Sequence, residues 1–237
     1  MTHMLDIWER GAAWHSIDRA LLILQYACPG ETYQRLSEFT LGQRDTLLLQ
    51  IREKTFGDRI ESYVECPSCS ERLEFGLSCD ILLADAALPV PGRKKIEHEG
   101  IEWELRAPTS VDLAAVVTAE HASAATKMLL ARCATRVTEI PGASGPAPES
   151  LPESLSEAIA ALDPQAEIRI ALTCQACTHA WQSDFDIASF IWSEICARGR
   201  RLLQEIDVLA RRYGWSEADI LRMSDTRRGL HVQMALS

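Results

Sequence analysis

The chain reads as an α+β protein, mainly helical, in which two small Cys-x-x-Cys hairpins are joined across a long insertion. Three observations predict this class. Two short segments look like copies of each other: Val64-Glu65-Cys66-Pro67-Ser68-Cys69-Ser70-Glu71-Arg72-Leu73 and Leu172-Thr173-Cys174-Gln175-Ala176-Cys177-Thr178-His179-Ala180-Trp181. Around each copy, apolar and polar residues alternate with a period of two, as in a half-buried strand. Elsewhere the apolar residues recur at three, four and seven, as in amphipathic helices.

Taken in order, residues 1–59 read as a helical arm. Ser16 is the expected cap of a helix whose apolar side includes Ile17, Ala20, Leu21 and Leu24, and Pro29-Gly30 ends it. A second helix is expected from about Leu36 to Phe56, with Leu47, Leu48 and Ile51 on one stripe and Gly57 as its stop. From Ile60 to Leu77 the period changes to two. Val64 enters a turn holding Cys66 and Cys69, and Leu73, Phe75 and Leu77 leave it. The second copy behaves alike, with Ile168, Ile170 and Leu172 before the turn and Trp181, Phe185 and Ile187 after it.

Residues 79–165 form the insertion. Lys95 to Arg106 reads as a hairpin, and Thr109 and Asp112 stand at capping-box spacing before an Ala-rich helix expected to run, with a break, to Val137. The stretch 141–149, rich in Pro and Gly, is expected to be a mobile loop, and a further helix starts near Pro152-Glu153 and ends near Asp163-Pro164. The final part, 189–237, is the most regular. Ile191, Ile195, Leu202, Ile206, Leu209 and Tyr213 share one face before Gly214, Ser216 caps a short helix, and an apolar segment closes the chain.

Four thiolates in two Cys-x-x-Cys pairs have the spacing of a tetrahedral structural zinc site. Cys66, Cys69, Cys174 and Cys177 are therefore the predicted ligands of one Zn2+ per chain. The zinc-ribbon-like core then consists of residues 60–78 plus 166–188, two arms about a hundred residues apart. The other cysteines, Cys28, Cys79, Cys133 and Cys196, are scattered in apolar contexts and read as small buried hydrophobes rather than a disulfide framework. A thioredoxin-like reading of Cys66-Pro67-Ser68-Cys69 fails because such a thiol needs a following helix, and a strand pattern follows here.

Composition narrows the function further. The chain has 237 residues, 47% of them apolar, and a net charge of −10. No stretch approaches the ~20 apolar residues of a membrane span, and the first ten residues lack the order of a secretory signal, so a cytoplasmic protein is expected. An acidic chain is a poor partner for nucleic-acid phosphates. Arginines gather in the last forty residues, Arg198 to Arg228, but acids are interleaved with them, which reads as solvated helix faces and ion pairs.

No catalytic constellation is legible. Four cysteines close a zinc shell and leave no open position. His179 reads as a solvent-facing turn residue, with replacement of one cysteine as the alternative. His98 and His121 have no acidic or nucleophilic partner at a meaningful spacing, and no phosphate-binding loop or Gly-x-Ser-x-Gly is present. Trp8 and Trp14 are expected to pack an N-terminal helix, with anchoring of a partner as the second reading.

The order of segments resembles a known family. Phe56-Gly57-Asp58-Arg59, the first knuckle, Leu105-Arg106-Ala107-Pro108-Thr109-Ser110-Val111-Asp112-Leu113, Leu162-Asp163-Pro164, the second knuckle and Ala210-Arg211-Arg212-Tyr213-Gly214-Trp215-Ser216-Glu217-Ala218-Asp219-Ile220-Leu221 follow one another as in the T4-type baseplate hub assembly chaperones. That family belongs to contractile phage tails and phage-tail-like extracellular injection systems. The resemblance implies a non-enzymatic assembly factor or minor hub component, acting in the cytoplasm or incorporated into the particle. It implies hub, spike or other tail proteins as partners, with neither nucleic acid nor a membrane span. The alternative is a zinc-ribbon adaptor in a nucleic-acid-associated complex.

Overall fold

A computed structural model describes residues 2–84, 92–139 and 152–237. The stretch 141–149 expected to be a loop lies outside the described residues. In chain order, α1 (Thr2–Gly11), α2 (Ser16–Ala27), α3 (Tyr33–Ser37) and α4 (Leu41–Phe56) precede a hairpin of β1 (Arg59–Glu65) and β2 (Arg72–Ser78). Next come α5 (Cys79–Ala84), β3 (Lys94–His98), β4 (Ile101–Leu105), α6 (Ser110–Val116), α7 (Ala122–Cys133), β5 (Ala134–Glu139) and α8 (Glu153–Ala160). A 3-10 turn at Pro164–Ala166 leads to the second hairpin, β6 (Arg169–Thr173) and β7 (Ala180–Asp184). The chain closes with α9 (Ile187–Tyr213), α10 (Glu217–Leu221) and α11 (Asp225–Leu236). The protein is thus mixed helix and sheet, as the alternating periods predict.

The main core is helical. Leu21, Leu24, Leu36, Leu48, Leu49, Ile187, Ile191 and Ile195 are buried together, with Ile60 and Cys79 at the base of the first hairpin. α1 and α9 interlock reciprocally: a methyl group on Gly11 would lie 2.6 Å from Trp192, and one on Gly199 would lie 3.0 Å from Trp8. Each tryptophan thus covers a helix surface that carries no side chain, so Trp8 packs internally as expected, while Trp14 is 39% exposed. A second core of Trp103, Leu105, Ala107, Cys133, Leu155, Ile159 and Leu162 belongs to the insertion.

Several local expectations are corrected. α2 is capped by His15, whose Nδ1 accepts from Ile17 N at 3.3 Å; Ser16 is the first helical residue. The single helix expected over 36–56 is two, because Thr40 and Gln43 form a capping box that starts α4 anew. The Ala-rich helix does not reach Val137. It divides into α6 and α7, and residues 134–139, with β-branched Thr135, Val137 and Thr138, add a third strand to the β3–β4 hairpin. The closing apolar segment is the helix α11, capped by Ser224. Cys79 and Cys133 are buried as expected, whereas Cys28 and Cys196 are only partly so.

The arginine-rich end departs most from expectation. Arg198, Arg201, Arg211 and Arg222 make ion pairs, as the interleaved acids suggest. Arg228, however, has 0% exposure. Its Nε donates to Glu205 at 2.6 Å and its Nη2 to Asp225 at 2.8 Å, which fastens α11 onto α9. Charged side chains are buried only when paired this way, a fact that local sequence does not disclose.

Candidate metal centre

Each knuckle is built by its hairpin. β1 pairs with β2 from Arg59↔Ser78 to Glu65↔Arg72, and β6 with β7 from Arg169↔Asp184 to Thr173↔Ala180. At the tips the backbones repeat. Cys66 N donates to Glu71 O at 2.9 Å, as Cys174 N does to His179 O at 2.9 Å. Ser70 N donates to Cys66 O at 2.8 Å, as Thr178 N does to Cys174 O at 2.9 Å. Ser70 and Thr178 both have φ 61°, the left-handed conformation that turns the chain around the second cysteine of each pair. The match between the copies is therefore one of backbone geometry as well as of sequence.

The two tips meet. All four sulfurs of Cys66, Cys69, Cys174 and Cys177 lie within 4.8 Å of one another. Cys66 Sγ is 3.7 Å from Cys177 Sγ, and Cys69 Sγ is 3.6 Å from Cys174 Sγ. Exchange of the two knuckles maps one of these pairs onto the other, so the cluster is close to two-fold symmetric. The separations are far from the ~2.05 Å of a disulfide. They match the edge of about 3.8 Å that follows from metal–sulfur bonds of ~2.3 Å in a tetrahedron. The donor set can hold a metal ion.

The thiols influence one another. Burial works to raise the Cys66 thiol, but the N–H groups of Ser68 and Cys69 and the neighbouring Cys177 and Cys69 side chains outweigh it and bring it down to about 7. Around Cys69 the N–H of Glu71 acts downward, but the Cys177, Cys174 and Cys66 thiols and burial push it up to about 12. One sulfur thus ionises readily and the next resists a second negative charge. A bound dication removes that resistance, because it favours every thiolate at once.

The remaining candidate residues fall outside the cluster. His179 is exposed and stacks on Trp181 with ring centroids 5.8 Å apart. His121 precedes α7 as its N-cap residue. His98, expected to be alone, has Ser154 Oγ at 3.2 Å from Nδ1, a pairing across 56 residues that no local spacing reveals. Glu99, at 3.9 Å from Nε2, is too far to fix the ring by a hydrogen bond. Among the described residues, Ser154 is thus the hydrogen-bond partner of this imidazole, and no carboxylate is close enough to orient it as in a general-base pair.

Away from the cluster, the insertion and α9 meet the two ends of α4. At its N-terminus every first-turn N–H has a partner. Thr40 N donates to Gln43 Oε1 at 3.0 Å and Gln43 N to Thr40 Oγ1 at 3.3 Å. Leu41 N donates to Pro108 O at 3.1 Å, and Gly42 N to Asp163 Oδ2 at 2.7 Å. Pro108 and Asp163 both belong to the insertion, so the insertion itself caps the helix. At the C-terminus, Arg52 donates to Gly57 O at 2.5 Å and grips Glu194 of α9 with both oxygens, at 2.8 and 3.1 Å. Sequence reading missed Arg52 and Asp163 as anchors because their partners lie 142 and 121 residues away.

The model of a protein family described as "T4 bacteriophage base plate protein" matches residues 17–192. The chain belongs to this family. The matched span takes in both knuckles and the whole insertion of this base plate protein and ends within α9. No curated protein and no solved structure matches it. Among the described residues, no helix of the base plate protein is long and apolar enough to cross a membrane.

Proposed function

We propose that this base plate protein is a non-enzymatic assembly factor, or a minor component, of the hub of a contractile phage-tail-like injection system. One structural Zn2+ holds its two knuckles together. The family membership carries the baseplate part of this reading. The zinc part is supported by the closure of four sulfurs around one point, with no other donor in the group. A fully thiolate shell favours zinc over the harder divalent ions and leaves no position for water. The residues that carry chemistry are thus committed to holding the fold. The helical arm 1–59, the zinc-bound core of residues 60–78 and 166–188, the insertion 79–165 and the C-terminal segment 189–237 then serve as parts of one scaffold that positions hub or spike proteins.

The test combines metal analysis with complex formation. Elemental analysis of the purified chain is expected to give one equivalent of zinc. Co-expression with the neighbouring baseplate proteins is expected to yield a stable complex with at least one hub or spike protein. Particle proteomics then separates an assembly factor, absent from finished particles, from a resident component. Zinc far below one equivalent overturns the staple, and normal particles after gene deletion together with no complex overturn the hub assignment.

A further inference from the structure

The two knuckles provide an internal comparison. Aligned on their cysteines, they keep three inward positions apolar, Ile60 with Ile168, Val64 with Leu172 and Leu73 with Trp181, and exchange an apolar residue for serine at two, Ser62 with Ile170 and Phe75 with Ser183. Their outward faces differ at every position compared. Glu61, Tyr63, Glu65, Glu71, Arg72 and Glu74 of the first correspond to Arg169, Ala171, Thr173, His179, Ala180 and Gln182 of the second. All twelve residues are exposed. No acid of the first face has an acid as its counterpart, and the single aromatic is replaced by alanine. Metal binding requires the sulfurs, which both copies retain, and each hairpin keeps a mostly apolar inward side. The outward difference therefore answers to something other than stability.

The first face is also organised. Register places Tyr63 opposite Glu74 and Glu65 opposite Arg72. Tyr63 is 60% exposed, yet its ring is held by the Arg72 guanidinium, 3.8 Å from the ring centroid. A groove of about 400 Å³ runs along the hairpin past Tyr63, Glu61 and Glu74, with Arg72 and Arg59 also in its wall and Arg59 paired with Glu61 at 3.0 Å. An exposed tyrosine, pre-set by an arginine and standing opposite Glu74 on a hairpin face that also carries Glu61, Glu65 and Glu71, has the make-up of an interface anchor. The excess of acids over Arg59 and Arg72 disfavours an anionic occupant and favours a basic one.

We infer that the outward face of the β1–β2 hairpin docks a Lys/Arg-bearing segment of a partner protein, with Tyr63 as anchor and Glu61, Glu65, Glu71 and Glu74 as its charge complement. The identification of that partner as a baseplate protein rests on the function proposed above; the surface itself does not. The β6–β7 hairpin supplies the symmetry of the metal site and leaves its outward face neutral.

The test uses the full-length, zinc-loaded chain against each purified baseplate protein encoded beside it, with affinities measured at about 50 mM and about 300 mM salt. For the protein that binds, Tyr63→Ala is expected to weaken binding at least about tenfold. Glu61→Lys with Glu74→Lys is expected to abolish the salt dependence. Ala171→Ser with Gln182→Lys, on the outward face of the second hairpin, should change affinity less than about twofold. Zinc content and melting temperature are followed for each variant, so that loss of fold is not read as loss of docking. Wild-type affinity in both first-face variants overturns the docking surface and leaves the baseplate reading standing. Absence of any complex between the unaltered chain and these proteins overturns a baseplate protein as the occupant, and failure of the unaltered chain to bind a Lys/Arg-rich peptide at about 50 mM salt more tightly than the Glu61→Lys, Glu74→Lys chain overturns the surface itself.

Discussion

At Gly42 the insertion presses directly against α4. An added methyl group would lie 1.9 Å from Asp163 Oδ1, whose carboxylate receives the Gly42 N–H. Gly42→Ala is expected to break this cap and cost roughly 2–4 kcal/mol in urea unfolding. Gly229→Ala, in a helix with nothing within 4 Å, should instead leave stability unchanged or raise it by up to about 1 kcal/mol. Arg228 presents the opposite problem, a charge with no exposure at all. Arg228→Met removes the partner of Glu205, which then keeps only Arg201, and a loss of about 3 kcal/mol is expected. Adding Glu205→Leu should recover part of it, because an apolar pair of similar volume avoids the unpaired carboxylate.

At the scale of elements, Asp112 fastens α6 to its surroundings. Its carboxylate accepts from Arg106 at 2.6 and 2.9 Å, from Arg132 at 2.9 Å and from Thr109 N at 3.0 Å. Burial works to raise the carboxyl, but the Arg106 guanidinium and the Thr109 N–H and hydroxyl outweigh it and hold it down to about 2. The folded pKa is thus below the unfolded value of about 3.9, so the contribution is complete above about pH 4 and fades as the pH falls toward 2. In stability measured by urea between pH 5 and 2, the gap between the wild type and Asp112→Asn should shrink toward the acid end. A constant gap would place the effect of the substitution elsewhere. Elements also explain where sequence reading went astray. Helix period and alanine content carried α7 too far, because residues 134–139 become a strand only where β4 offers a free edge. Likewise, the helix expected over 36–56 became α3 and α4 through the caps Thr32 and Thr40, and the closing apolar segment became α11 through the cap Ser224.

For the whole molecule the cysteine cluster sets the connectivity. If the cluster holds zinc as proposed, removing it with a chelator, or replacing Cys66 by Ser, is expected to free the two hairpins from each other and lower the melting temperature by about 10 °C or more. Cobalt added to the stripped wild-type protein should restore stability and produce thiolate charge-transfer absorption, and the Cys66→Ser protein should do neither. Unchanged melting after complete metal loss would contradict a staple of this kind. The helical core should outlast the hairpins in such an experiment, because α1, α2, α4 and α9 bury their apolar faces against one another without involving the sulfurs.

The four cysteines, the two hairpins, the 27-residue α9 and the Thr109–Asp112 cap were legible from the chain alone. Each depends on residues near one another in sequence, where spacing fixes which face or turn a side chain occupies. What else holds the parts together was not legible in this way. Asp163 capping α4, Arg52 gripping Glu194 and Arg228 of α11 buried against Glu205 all join positions far apart, whereas the meeting of the two knuckles was legible because the repeated Cys-x-x-Cys spacing pairs them. Burial and charge pairing across such distances depend on how packed elements meet, and that is decided only in three dimensions.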